Sequence, residues 1–312
     1  MHARQILPLL LSAGIALAAC GGSRQTRSLA NGPVIGVSIQ NREAQFYQDF
    51  ELGMKKEASK YGYAVNVVDA RRDNAKQQSQ VEDFISQQVS AIVLVPYDSQ
   101  AIGSAIVEAN QANIPVFTAD IANGSKQGQV VTHVASDNEQ GGGEAAKLVC
   151  RAAGGNAGQV AIIDEPEVTS VQDRVRGFKK SLIARCPKVT IVADIDGGGE
   201  RAKSSAGMED ILQGHPQLTA VFGINDDAAL GALKAIEAAN TKQRGIVVVG
   251  YDADAEARTA IAQGSLYGDA IQHPELIGAK TIDVIHGYLT HQTVPGRVEV
   301  PVGTFTKTDA TR

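Results

Sequence analysis

Residues 89–120 read VSAIVLVPYDSQAIGSAIVEANQANIPVFTAD, and the order of their parts decides the fold. A continuous apolar run, Ala91–Val95, is followed by Ile102, Ile106 and Ala109 at helical spacing, and then by a second run, Pro115–Thr118. An unbroken apolar run suits a strand covered on both faces, whereas a stripe recurring every three or four residues marks a helix with one buried face. Strand, helix and strand in succession form the unit from which parallel sheets are wound.

The same alternation continues in both directions. Further strands are predicted at Val34–Ile39, Ala64–Val68, Val130–Val134, Val160–Ile163, Val189–Val192, Ala220–Ile224, Ile246–Tyr251 and Leu266–Ile271. Phe46, Phe50, Met54 and Ala58 form one helical stripe, with Gly62 as its C-terminal stop, and Val81 and Ile85 begin another. About 280 residues of such pattern exceed what one core holds, so the expected fold class is α/β with two successive doubly wound parallel sheets and a cleft between them. In sheets of this kind ligands meet the chain just beyond the carboxyl ends of strands. Those ends carry Gln40, Pro96 to Asp98, Asp120, the loop before Arg174, Asn225, Asp252 and Gln272.

The N-terminus points to export. Arg4 precedes an apolar run, Ile6–Ala19, that is broken by Ser12 and Gly14 and ends in Leu17-Ala18-Ala19-Cys20. A membrane span needs roughly 20 apolar residues, so residues 1–19 read as a secretory signal. Cysteine directly after Leu-Ala-Ala resembles the bacterial lipobox, which implies lipidation of Cys20; an ordinary secretory signal is the alternative. Residues 20–32 read as a tether.

Lys and Arg total 29 against 34 Asp and Glu, a net charge of −5 with no basic block, which argues against a nucleic-acid partner. Cys150 and Cys186 are a candidate disulfide pair in an exported chain. Both fall near the ends of consecutive predicted helices, and free thiols are the alternative. The scattered histidines have no zinc spacing, His133 reads as a core residue, and no metal or cofactor is expected. Gly141-Gly142-Gly143 and Gly197-Gly198-Gly199 lack the spacing of a dinucleotide turn. Asp226-Asp227 reads as an acidic first helical turn. No site assembles nucleophile, base and orienter, so an enzyme is not expected.

The segments PVIGVSIQ, FYQDFELGMKKEASKYGY, HVASDNEQGG, QDRVRGFKKSL, HPQLTAVFGINDDAALGALKAI, VVVGYDAD and AIQHPELIGAK, together with residues 81–120, resemble the ribose-binding branch of the type I periplasmic sugar-binding family. The matches run in order from Val34 to the end. The resemblance implies two doubly wound lobes joined by a three-strand hinge, with crossings near Ser136, Gln272 and Pro301. The N-lobe is then expected at 33–136 plus 273–301 and the C-lobe at 137–272 plus 302–312. It implies that Phe46 and Tyr47 sandwich a sugar ring, that Asp120, Arg174, Asn225, Asp252 and Gln272 contact its hydroxyls, and that Gln40 stands in the place of a serine contact. Arg174 would balance Asp120 and Asp252 and fork onto two hydroxyls.

Three positions depart from that pattern. Ile121 replaces an arginine, Ala44 replaces an asparagine, and Gly199 falls where the far lobe supplies an aromatic ring. A lost hydroxyl partner and a lost stacking wall point away from ribose and leave another pentose, a hexose, a polyol or another small polar metabolite. The expected function is a monomeric, lipid-anchored receptor that delivers its solute to ABC permease subunits. A receptor for a membrane sensor is the alternative, and an enzyme on the same fold is the weakest one. Repressors of this fold are disfavoured, because a signal and tether stand where a DNA-binding helix-turn-helix would be.

Overall fold

The structure, a computed structural model, describes residues 32–239 and 245–310. Cys20, the predicted signal and all but the last residue of the predicted tether lie outside them. The elements in order are β1 (Val34–Ile39), α1 (Gln45–Lys60), β2 (Ala64–Asp69), α2 (Asn74–Ser86), β3 (Ala91–Leu94), α3 (Gly103–Gln111), β4 (Val116–Ala119) and β5 (His133–Ser136). There follow α4 (Asn138–Ala153), β6 (Gly158–Asp164), α5 (Thr169–Arg185), β7 (Val189–Asp196), α6 (Arg201–Gly214), β8 (Ala220–Gly223), α7 (Asp226–Ala238) and β9 (Val247–Asp252). The described chain ends with α8 (Ala255–Gln263), β10 (Gly268–Ile271), α9 (Pro274–Leu289), β11 (Arg297–Val300), β12 (Gly303–Thr306) and α10 (Lys307–Ala310).

Two six-stranded sheets result, ordered β11-β5-β4-β3-β1-β2 and β12-β10-β9-β8-β6-β7. Every pairing is parallel except β10 with β12. The central strands β3, β4 and β8 are buried at every position, as strands roofed by helices on both faces must be. Edge strand β2 is partly exposed along its whole length.

The helical stripes pack inward. Phe46, Phe50, Met54 and Ala58 of α1 are all buried, and α1 stops where Gly62 takes a φ of +69°, the left-handed backbone that closes a helix. On α2, Phe84 joins Val81 in the core, while Ile85 is only partly covered.

The chain passes between the sheets after β5, again between β10 and α9, and a third time between β11 and β12, which flank Pro301. Two lobes of α/β structure joined by crossover strands are the outcome. No described helix is long and apolar enough to cross a membrane. At the pole of the second lobe, away from its strand ends, a disulfide joins Cys150 in the last turn of α4 to Cys186 after α5.

Candidate ligand-binding site

Parallel sheets aim the carboxyl ends of their strands at one edge. Gln40 follows β1, Asp120 follows β4, Asn225 follows β8, Asp252 ends β9 and Gln272 follows β10. Phe46 and Tyr47 lie in the first turn of α1, and Arg174 in the second turn of α5, which starts at Thr169 and so earlier than the sequence implied. All of these side chains line one tight cavity of about 30 Å³. Ala44, Ile121, Val168 and Val171 supply apolar surface to the same cavity.

Two charged lining residues were not nominated by the sequence. Arg72, in the turn after β2, and Glu165, directly after β6, meet across the lobes with Nη1 3.5 Å from Oε1. Arg72 also donates to the carbonyls of Gly198 at 2.8 Å and Gly199 at 3.4 Å. Gln40 Nε2 donates to Glu165 Oε1 at 2.8 Å. A Cβ at Gly199 would lie 2.4 Å from Glu165 Oε2, so glycine at this position is what lets the carboxylate stand where the resemblance places a ring.

Strain is concentrated here. Arg72, Asp120 and Asp252 hold φ of +56°, +58° and +114°, backbone that non-glycine residues adopt at a cost of about 1–3 kcal/mol and that collects at functional sites. Asp252 is not a helix cap: Asp254 caps α8 by accepting from Ala257 N–H at 2.8 Å. Asn225 caps α7 through Ala228 N–H and turns its amide to the Gly199 carbonyl at 3.2 Å, with Asp226 and Asp227 in the first turn behind it.

The rings of Phe46 and Tyr47 stand edge to face, 84° apart with centroids 5.1 Å from each other, and form a corner of the cavity. The Tyr47 hydroxyl is within reach of both Asp120 Oδ2 at 3.1 Å and Gln40 Oε1 at 3.0 Å, so this residue also orients polar groups. Arg174 donates through Nε to Asn138 Oδ1 at 2.8 Å and through Nη1 to the Ile224 carbonyl at 2.9 Å. Its guanidinium lies 4.1 Å above the Tyr251 ring, and its Nη2 stays 3.9 Å from Asp120 Oδ1. Gln272 Nε2 donates to Asp252 Oδ1 at 2.7 Å.

Burial governs the charges. It raises Asp120 to about 6 against the pull of Arg174 and the Tyr47 hydroxyl, Glu165 to about 7 against Arg72 and Gln40, and Asp252 to about 8 against Arg174 and Gln272. Asp120 Oδ1, Gln272 Oε1 and Arg72 Nε are buried without a hydrogen-bond partner. Such atoms cost about 1–3 kcal/mol each unless something arrives to pair them. The cavity can therefore orient a small molecule rich in hydroxyls. His133 lies outside it, bonded to Thr118 Oγ1 at 2.9 Å, and burial lowers it to about 4. Among the described residues no group of three or more His, Cys, Asp or Glu is placed to hold a metal ion.

Residues 35–293 match the family model of the periplasmic binding protein domain. The ribose import binding protein of Bacillus subtilis is 38% identical over 264 residues, which cover 83% of this chain and 84% of the relative. Among solved structures, the arabinose-binding component of a Shewanella sp. ANA-3 ABC transporter, bound to L-arabinofuranose, superposes with a TM-score of 0.82 at 28% identity over 89% of this chain and 93% of that one. A Bacillus halodurans ABC transporter solute-binding protein with bound myo-inositol gives a TM-score of 0.81 at 28% identity, covering 90% and 96%. By sequence, by fold and by the course of its crossovers, the chain belongs to the periplasmic binding protein family, in the ribose-binding-like, type I group of ABC sugar importers.

Proposed function

We propose that the protein captures a sugar or polyol between its two lobes and presents it to the permease of an ABC importer. The observation that carries this reading is the convergence of Gln40, Phe46, Tyr47, Asp120, Arg174, Asn225, Asp252 and Gln272, from both lobes, on one interlobe cavity. An aromatic corner suits the C–H face of a sugar ring, and the unpartnered Asp120 Oδ1, Gln272 Oε1 and Arg72 Nε suit its hydroxyls. Relatives that carry ribose, arabinofuranose and myo-inositol support the class of solute. The lobes are proposed to divide at residues 33–136 plus 273–301 and 137–272 plus 302–312, and the chain to act as a monomer held to the membrane by a lipid on Cys20.

The test is a thermal-shift screen of the mature protein against monosaccharides and polyols, followed by calorimetry of each hit. A ligand at a hundred times its Kd adds about 2.7 kcal/mol to stability, a shift that is easily read. A panel in which no pentose, hexose or polyol moves the midpoint would refute the reading. The anchor is tested separately: Cys20→Ala should release the protein from the membrane fraction, and unchanged partition removes the lipid from the proposal.

A further inference from the structure

The cavity holds more acid than base. Asp120, Glu165 and Asp252 line it with Arg72 and Arg174. Arg72 is taken up by Glu165 and by the two glycine carbonyls of the loop after β7. Arg174 faces Asp120 and also acts on Asp252, yet its Nε and Nη1 are already engaged by Asn138 and the Ile224 carbonyl. Beside Asp120, where a second cation could have stood, is buried Ile121. One guanidinium thus serves two carboxylates.

The hydrogen-bond inventory leans the same way. Asp120 Oδ1 and Gln272 Oε1 are buried acceptors without a donor, in residues 4% and 3% exposed, against one unpartnered donor, Arg72 Nε. Gln272 uses its amide nitrogen on Asp252 and leaves its carbonyl oxygen free. A hydroxyl brings one donor and no charge, whereas an ammonium brings three donors and one positive charge.

We infer that the solute carries a protonated amine on a polyhydroxylated ring, an amino sugar or amino cyclitol, with its ammonium seated at Asp252 and Gln272 Oε1. The inference rests on the solute-capture reading and narrows its ligand class. Without a second cation the site keeps Asp252 neutral instead, as burial pushes its carboxyl up to about 8. An ammonium displaces that proton and turns the pair into a charge-assisted hydrogen bond.

The experiment is calorimetric titration of the whole mature protein at neutral pH with matched pairs. These are D-glucosamine and D-glucose, D-galactosamine and D-galactose, 2-amino-2-deoxy-D-ribose and D-ribose, and an inositol with its monoamine. In at least one pair the amine should bind tenfold or more tightly than its hydroxyl twin, about 1.4 kcal/mol, and its N-acetyl derivative should lose that advantage. Asp252→Asn should bring the amine-to-hydroxyl preference down to about one, because the charge is gone while the shape stays. If hydroxyl members bind and none is surpassed by its amine, the amine inference fails and sugar capture stands. Should no member of any pair bind, and the wider screen stay silent too, both fail together.

Discussion

Arg174 is held in place by the protein itself. Its Nε and Nη1 bond Asn138 and the Ile224 carbonyl, and the Tyr251 ring lies beneath it, so Nη2 is the donor directed at Asp120 and the cavity. Arg174→Ala should therefore weaken binding by about 2–5 kcal/mol, much of it from two carboxylates left without their shared cation. It should also lower stability by about 1–3 kcal/mol, since the buried Ile224 carbonyl loses the Arg174 donor and Asn138 Oδ1 keeps only the Tyr251 hydroxyl at 3.1 Å. Lysine should rescue little, because a point charge neither forks nor stacks. Calorimetry and unfolding of both variants read the two effects, and wild-type affinity in the alanine variant would place Arg174 outside the site. Residues at strand ends were legible because position alone nominates them. Arg72 was not, although it follows a strand: nothing in Arg71-Arg72-Asp73 says which arginine turns inward, and both take left-handed backbone. Glu165 depends on the absence of a side chain at Gly199, a contact across the fold that no local pattern carries.

Helices α4 and α5 form the platform on which Arg174 stands. A Cβ at Gly142 would lie 1.9 Å from the Arg174 carbonyl and one at Gly141 2.0 Å from the Tyr251 hydroxyl, so these two glycines of the 141–143 run serve close packing where its spacing had excluded a nucleotide turn. The disulfide ties the opposite ends of the same two helices, closing a separation of 36 residues. A loop of that length should contribute about 3–4 kcal/mol by restricting the unfolded chain. Replacing both Cys150 and Cys186 by alanine should lower unfolding free energy by about 2–4 kcal/mol and leave ligand affinity unchanged, because the bond lies at the far pole from the cavity. A loss of affinity with no loss of stability would contradict that separation of roles. At this scale continuous apolar runs were legible as strands, with the fifth displaced to His133–Ser136. Strands β11 and β12 were not: each has four residues, most of them partly or fully exposed, and their pairing is decided by the sheets they join.

In the whole molecule the two lobes meet in a closed arrangement. Gln40 and Arg72 bond Glu165 and the Gly198 carbonyl, Ser99 bonds Thr169 and the Glu167 carbonyl, and Gln45 accepts from Ala255 N–H. The course of the chain between sheets was legible through many short motifs in register, but the charge state of the closed cleft was not, since it depends on how much water closure removes. Carboxylates facing an open, wet cleft titrate near their ordinary value of about 4. In the closed form burial lifts Asp120 to about 6, Glu165 to about 7 and Asp252 to about 8, with Arg72 and Arg174 opposing the shift and Asp120 and Asp254 adding to it at Asp252. The closed form thus binds more protons than the open one. Its advantage is fully present below about pH 4 and is lost as pH rises through the closed-state values toward 8. X-ray scattering of the ligand-free protein should show a larger radius of gyration at pH 8.5 than at pH 5.5, about the two sides of that window. Glu165→Gln, which mimics the protonated acid, should flatten the rise. A neutral solute that closes the lobes at pH 8 should draw protons from the buffer, read as a binding enthalpy that varies with the buffer's own ionisation enthalpy, whereas an ammonium at Asp252 should draw fewer. A radius that stays constant or shrinks with rising pH would mean that these carboxyls do not change their hydration when the lobes move, and that closure is governed by the other interlobe contacts, those at Ser99, Gln45 and Ala122 among them.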